Sequence, residues 1–132
     1  MLGHIEHFLV LSDDMDGTRD WYERVLGLTP GERPPLPFPG HWLYLGDVPA
    51  VHVADRAAYE AHTETAGTGS SAAAGSTGAV DHIAFSATGY DELKQRLAEN
   101  GVGAVENEVP GVMRQLFLTD PNGVRLELNV RN

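Results

Sequence analysis

The sequence predicts an α+β fold made of two copies of one βαβββ module, and three observations carry that prediction. The first is a repeated order of elements. A hydrophobic alternation, an amphipathic stretch and three more alternating runs occur over residues 1–62 and again over 80–132. The second is local agreement: Ile5-Glu6-His7-Phe8 matches Val80-Asp81-His82-Ile83, and Trp42-Leu43-Tyr44-Leu45-Gly46-Asp47 matches Gln115-Leu116-Phe117-Leu118-Thr119-Asp120. The third is spacing. His7 and His82 stand 75 positions apart, as do His52 and Glu127, and 45 positions separate the two polar residues within each half. Copies related by a pseudo-twofold axis would set His7 opposite His82 and His52 opposite Glu127.

The elements follow in order. Residues 5–11 alternate around an apolar run and predict a strand. The polar stretch 12–16 offers caps, and residues 18–26 predict a helix with Trp21, Tyr22, Val25 and Leu26 on one face and Gly27 as its stop. Residues 28–33 predict a short edge strand. The proline-rich run 34–40 excludes regular structure and predicts a stiff loop able to act as a lid. Residues 42–45 and 50–53 predict a hairpin turning at 46–49. Residues 63–79, rich in Gly, Ser, Thr and Ala, predict a flexible connection. The pattern then restarts with a strand at 80–86, a helix at 91–100 with Leu93 and Leu97 inward, and a strand at 104–109. A final hairpin over 115–129 turns at Asp120-Pro121-Asn122-Gly123, where proline fixes φ and Asn-Gly tolerates positive φ.

With 132 residues the chain is sized for a single domain with its own core. It has no cysteine, so disulfides and thiolate metal sites are excluded. No apolar run is long enough to span a membrane and no signal peptide is visible, which leads to a cytoplasmic expectation. A formal net charge of −10 argues against nucleic acid and anionic membranes as partners.

Strand residues two apart share a face. His7 therefore goes with Ile5, Leu9 and Leu11, and His82 with Ala84 and Ser86. Phe8, Val10, Ile83 and Phe85 pack beneath the helices. Glu127 shares its face with Arg125 and Asn129, opposite Leu126 and Leu128. A carboxylate inside a strand needs a partner, which Arg125, Arg114 or a metal would supply. Two imidazoles and one carboxylate make a facial set for a divalent ion with open positions, and His7, His82 and Glu127 fit it, with His52 as a fourth candidate. Fe, Zn, Mn, Ni and Co all accept such donors. His4, His41 and His62 receive no role.

The chain resembles the vicinal oxygen chelate superfamily, which includes glyoxalase I, extradiol dioxygenases and bleomycin-binding proteins. The resemblance rests on Ile5-Glu6-His7-Phe8, Trp21-Tyr22-x-x-Val25-Leu26-Gly27-Leu28, Val80-Asp81-His82-Ile83 and Asp120-Pro121-Asn122-Gly123-x-x-x-Glu127. It implies paired modules forming a cupped mixed sheet with helices on the outer face, around a divalent metal that chelates a small oxygen-bearing substrate. It implies ligand roles for His7, His82 and Glu127. The fourth family position is Glu or Gln in many isomerases and lyases, and His52 departs from that. The resemblance also implies a homodimer.

Two chemistries share this expected site. In the first, a lyase or isomerase transfers a proton next to a carbonyl polarised by the metal, with Glu127 as general base. In the second, an Fe(II) dioxygenase cleaves a catechol-like ring, and His52 acts from outside the metal shell. A non-catalytic binding protein is the third alternative. Trp42, Tyr44, Gln115 and Phe117 are the expected substrate-pocket residues. Glutathione would want a cluster of positive side chains, for which Arg19, Arg24 and Arg33 are candidates, with Arg19 and Arg24 expected on the solvated face of the first helix.

Overall fold

The computed structural model describes residues 1, 3–70 and 77–132. It divides into two compact units, Met1–Ala74 and Gly75–Asn132. Among the described residues no helix is long and apolar enough to cross a membrane.

The first unit contains β1 (Phe8–Ser12), α1 (Met15–Trp21), β2 (Thr29–Gly31), β3 (Gly40–Leu45), β4 (Val48–Asp55) and α2 (Arg56–Ala66). Its sheet order is β1-β4-β3-β2, with β1 parallel to β4 and the other pairs antiparallel. The second unit contains β5 (Ile83–Ala87), α3 (Tyr90–Glu99), β6 (Val105–Val109), β7 (Met113–Thr119) and β8 (Arg125–Arg131). Its order, β5-β8-β7-β6, repeats the first with the same mixture of senses. The expected βαβββ order thus occurs in each unit.

Strand parity holds as expected. Val10, Leu43, Val51 and Val53 are buried on one face of the first sheet, and α1 contacts β1, β3 and β4. Leu9, Trp42 and His52 share the other face, with Leu9 and Trp42 both registered against His52. In the second unit Leu116, Leu118, Leu126 and Leu128 are buried, while Phe117 is registered against Glu127 on the opposite face. Each such buried side chain stabilises the fold by about 1.5–3 kcal/mol relative to exposure.

Several boundaries differ from expectation. His7 and His82 each precede their strand by one residue, because the ladders begin at Phe8↔Val51 and Ile83↔Leu126. Without a partner strand the preceding chain stays open, and Ile5 is 94% exposed. The first helix begins at Met15, where the Asp14 carboxylate accepts from the Gly17 N–H, and it continues as a π-helical segment, Tyr22–Leu26. That wider turn buries Tyr22 and Val25 completely, and Gly27 closes it at φ 75°.

The hairpin between β3 and β4 turns on two residues, Gly46 and Asp47, with Leu45 paired to Val48. Pro49 is tolerated in β4 because β1 pairs only from Val51 onward. In the last hairpin only Gly123 has positive φ, so Asn122 does not use the freedom expected of it. The buried Asp120 carboxylate organises that turn, accepting from the Asn122 and Val124 N–H groups at 2.8 Å each.

The helix α2 is the largest departure. It extends regular structure into the start of the segment expected to be a flexible connection, and Thr63 is buried. Asp55 caps it by accepting from the Ala58 N–H at 2.9 Å, and Gly67 ends it at φ 76°. It contacts β1 and β4, where Leu11 and Ala54 are buried on the same face as Leu9 and His52. Residues 71–76 of the expected connection lie outside the described residues.

Candidate functional site

In the second unit the candidate residues converge. The His82 imidazole meets the Glu127 carboxylate, Nε2 to Oε2, at 2.7 Å. Its other nitrogen, Nδ1, lies 2.7 Å from the Asp81 carboxylate. One imidazole is therefore held between two carboxylates. Asp81 is itself kept below the usual carboxylate range, first by its hydrogen bond to His82 and also by the nearby Arg125.

Glu127 is 7% exposed and does not stand alone. The Gln115 amide donates to its Oε1 at 2.6 Å and to Asn129 Oδ1 at 3.0 Å, and accepts from Asn107 at 2.6 Å. The Gln115 side chain, expected in the substrate pocket, is thus engaged in holding the carboxylate. Phe117 stands edge-on to His82 at 6.2 Å, with the Arg125 guanidinium 4.8 Å over its ring.

In the first unit the candidates stack. His52 lies between two rings, with His7 at 3.8 Å and 13° on one side and Trp42 at 4.1 Å and 8° on the other. Burial, then the neighbouring His7 and Arg33 charges, push the His52 imidazole down to about 4, while a hydrogen bond to the Pro49 carbonyl acts the other way. The ring is neutral near pH 7, and its Nε2 is buried with no hydrogen-bond partner among the described residues. His7 repeats the pattern of His82, with Nδ1 3.0 Å from the carboxylate of the residue before it, Glu6.

Trp42 and Tyr44 line a cavity of about 420 Å³ together with Glu32, Arg33 and Pro34. The Tyr44 hydroxyl donates to the Glu32 carbonyl at 2.6 Å. The proline-rich loop is pinned rather than free. Arg33 donates to the Phe38 carbonyl at 2.6 Å, and the Phe38 ring packs against Tyr59 and His62 of α2. Burial holds the Arg33 guanidinium below its ordinary value. Arg19 is paired with Asp16 and Asp20. His41 bonds Asp16 at 2.6 Å on the α1 side, away from Trp42, and His4 is exposed.

Among the described residues no group of three or more His, Asp or Glu is drawn together as a metal cage. The donor chemistry nevertheless fits a divalent ion. His82 Nε2 and Glu127 Oε2 already face each other, His52 offers an unpartnered buried nitrogen, and both histidines preceding the strands have Nδ1 tied to a carboxylate. Sequence reasoning missed Glu6, Asp81 and Asn107. Their signal was the acidic residue before each repeat histidine, and the Asn107 position in β6 opposite Gln115.

A family model described as Glyoxalase/Bleomycin resistance protein/Dioxygenase superfamily matches residues 4–128. No curated protein matches the chain. Among solved structures, lactoylglutathione lyase from Agrobacterium tumefaciens is 18% identical, with TM-score 0.72, covering 98% of this chain and 95% of that one. A mutant of the fosfomycin resistance protein FosX from Listeria monocytogenes, complexed with Mn(II) and 1S,2S-dihydroxypropylphosphonic acid, is 16% identical, with TM-score 0.71, covering 100% and 95%. The antibiotic-binding protein TnmS3 from Streptomyces sp. CB03234 is 18% identical, with TM-score 0.67, covering 99% and 98%. At these identities the likeness is one of fold.

Proposed function

The chain belongs to the glyoxalase/bleomycin resistance protein/dioxygenase superfamily, and on that footing we propose that it is a divalent-metal-dependent enzyme acting on a small oxygen-bearing molecule. The observation that carries this reading is the His82 imidazole held between Asp81 and Glu127. A neutral imidazole has one N–H, so two carboxylate contacts call for a second proton or for a cation at Nε2. Asp81 on Nδ1 fixes the ring with Nε2 toward Glu127, as an outer carboxylate does for a metal-bound histidine.

His82 and Glu127 are the donors the second unit would offer the ion, and His7 and His52 those the first unit would offer. When bound, the ion would supply Lewis-acid polarisation of a substrate oxygen. The favoured chemistry is proton transfer beside a carbonyl, of the lyase or isomerase kind. Glu127 is the base, its Oε1 steadied by Gln115 so that Oε2 carries the proton. Trp42 and Tyr44 wall a cavity of the first unit that has room for a small molecule.

The second reading, an Fe(II) dioxygenase, is favoured by the His7–His52 stack. Rings 3.8 Å apart and inclined by only 13° keep their in-plane lone pairs in separate, nearly parallel planes, so one ion does not lie in both, which favours a donor set without His52. A third reading, binding without chemistry, rests on the antibiotic-binding neighbour.

The test is metal content of protein purified without added metal, read beside anaerobic Fe(II) reconstitution and oxygen uptake with catechols. Bound Zn, Ni or Mn without oxygen uptake is the expected result. Iron with catechol-dependent uptake would install the dioxygenase. Stoichiometric metal binding retained in His7→Ala, His82→Ala and Glu127→Ala alike would remove the site.

A further inference from the structure

The cavity beside Trp42 contains a guanidinium without an acidic partner, in a chain of formal net charge −10. Arginine carries five N–H donors. Those of Arg33 make one hydrogen bond, to the Phe38 carbonyl at 2.6 Å, and its Cζ sits 5.2 Å from the Phe38 ring. No Asp or Glu pairs with it among the described residues. A partly buried charge is costly unless paired, so this cavity is short of an anion.

The walls are set in advance. A Cβ at Gly31 would come 2.7 Å from the Tyr44 ring, so glycine there lets the ring lie flat against β2. A Cβ at Gly40 would run into the Val53 carbonyl oxygen and come 3.1 Å from Arg33 Nη2, so the strand contact requires glycine there and the guanidinium lies against it. Tyr44 is held by Glu32, Arg33 by Phe38, and the indole of Trp42 by its stack on His52. Fixed walls reduce the ordering cost of binding. The flat group such walls accept is aromatic or otherwise unsaturated.

The charge balance narrows the anion. Glu32 also lines the cavity, so the local charge of Arg33 and Glu32 sums to zero. A dianionic phosphate would bring twice the excess negative charge of a single carboxylate, and one carboxylate matches the fork of one guanidinium. We propose that this cavity takes the carboxylate of a small planar monocarboxylate, with Arg33 as its binding residue and Trp42 and Tyr44 as walls for the flat part. This names the ligand class of this first-unit cavity and rests on the metal-enzyme reading for any chemistry, though not for binding.

The test uses the full chain, metal-stripped and metal-loaded, with sodium benzoate as probe and benzyl alcohol and phenyl phosphate as controls, read by tryptophan fluorescence. Benzoate is expected to quench saturably and to bind at least about tenfold tighter than either control, the scale of one charge-assisted hydrogen bond. Arg33→Met is expected to weaken benzoate by about tenfold or more, with partial recovery in Arg33→Lys. Benzoate binding no tighter than benzyl alcohol, or weaker than phenyl phosphate, overturns the proposal on the unmodified chain. So does unchanged benzoate affinity in Arg33→Met that circular dichroism shows to be folded. Benzoate selectivity without metal uptake would remove the enzyme reading and keep this one; metal uptake without benzoate selectivity would do the reverse.

Discussion

Gln115 donates to Glu127 across the β7–β8 pair at 2.6 Å, and both side chains are buried. A carboxylate in a sheet is tolerated there because an amide from the neighbouring strand satisfies one oxygen while His82 takes the other. Replacing Gln115 by Met keeps the length and removes the donor. Urea unfolding of Gln115→Met is expected to show a loss of about 1–3 kcal/mol, the cost of leaving a buried acceptor unmet. A change within error would mean that water already serves Glu127.

The acidic residues before the repeat histidines are expected to orient them. Asp81→Asn should weaken metal binding by about 10–100-fold, as loss of an outer partner on a ligating histidine does. Glu6→Gln should act in the same direction through His7, more weakly because its contact, at 3.0 Å, is longer than the 2.7 Å of Asp81. Calorimetric titration with Zn(II) or Mn(II) reads both. Equal affinities for both variants and the parent would reduce these contacts to surface pairs.

His52 sets a pH dependence in the metal-free protein. Its folded value is about 4 against an ordinary 6.5, chiefly through burial. Between those values the unfolded chain binds a proton that the folded one refuses. The stability His52 contributes is therefore present above about pH 6.5 and lost as pH falls toward 4. In His52→Phe, which keeps the stack with Trp42, urea midpoints should fall less between pH 7 and pH 5 than in the parent. Identical falls would place the acid sensitivity elsewhere.

The Asp120 carboxylate receives two backbone N–H groups of its own turn. Asp120→Ala leaves both donors without that acceptor, the Val124 N–H in buried surroundings. Thermal and urea unfolding should register about 1–3 kcal/mol of destabilisation. Asp120→Asn, which retains a carbonyl oxygen, should recover part of it.

The repeat was legible because hydrophobic alternation and the 75-position offsets survive in the bare sequence. The opposite faces of Leu126, Glu127 and Leu128 follow from the two-residue period of a strand, and the Gln115 side chain meeting both Glu127 and Asn129 bears that out. The helix α2 was not legible in the same way. Its residues carry little apolar periodicity, and contact with β1 and β4, rather than an amphipathic stripe, accompanies the burial of Thr63. The π-helical turn at Tyr22–Leu26 was equally hidden, since residues 18–26 read as one continuous helix face.

By itself the sequence determined the order of elements and the face each candidate residue shares. These are local consequences of strand period, whereas the registers that set Trp42 against His52 and Phe117 against Glu127 came from the folded sheets. Only the tertiary structure decided what those residues do to one another. It stacked His52 between His7 and Trp42, clamped His82 between Asp81 and Glu127, turned Gln115 onto Glu127, and set Arg33 beside the aromatic cavity without an acid. Such contacts depend on side-chain direction and on the approach of residues far apart in the chain. Period and spacing carry no information about either.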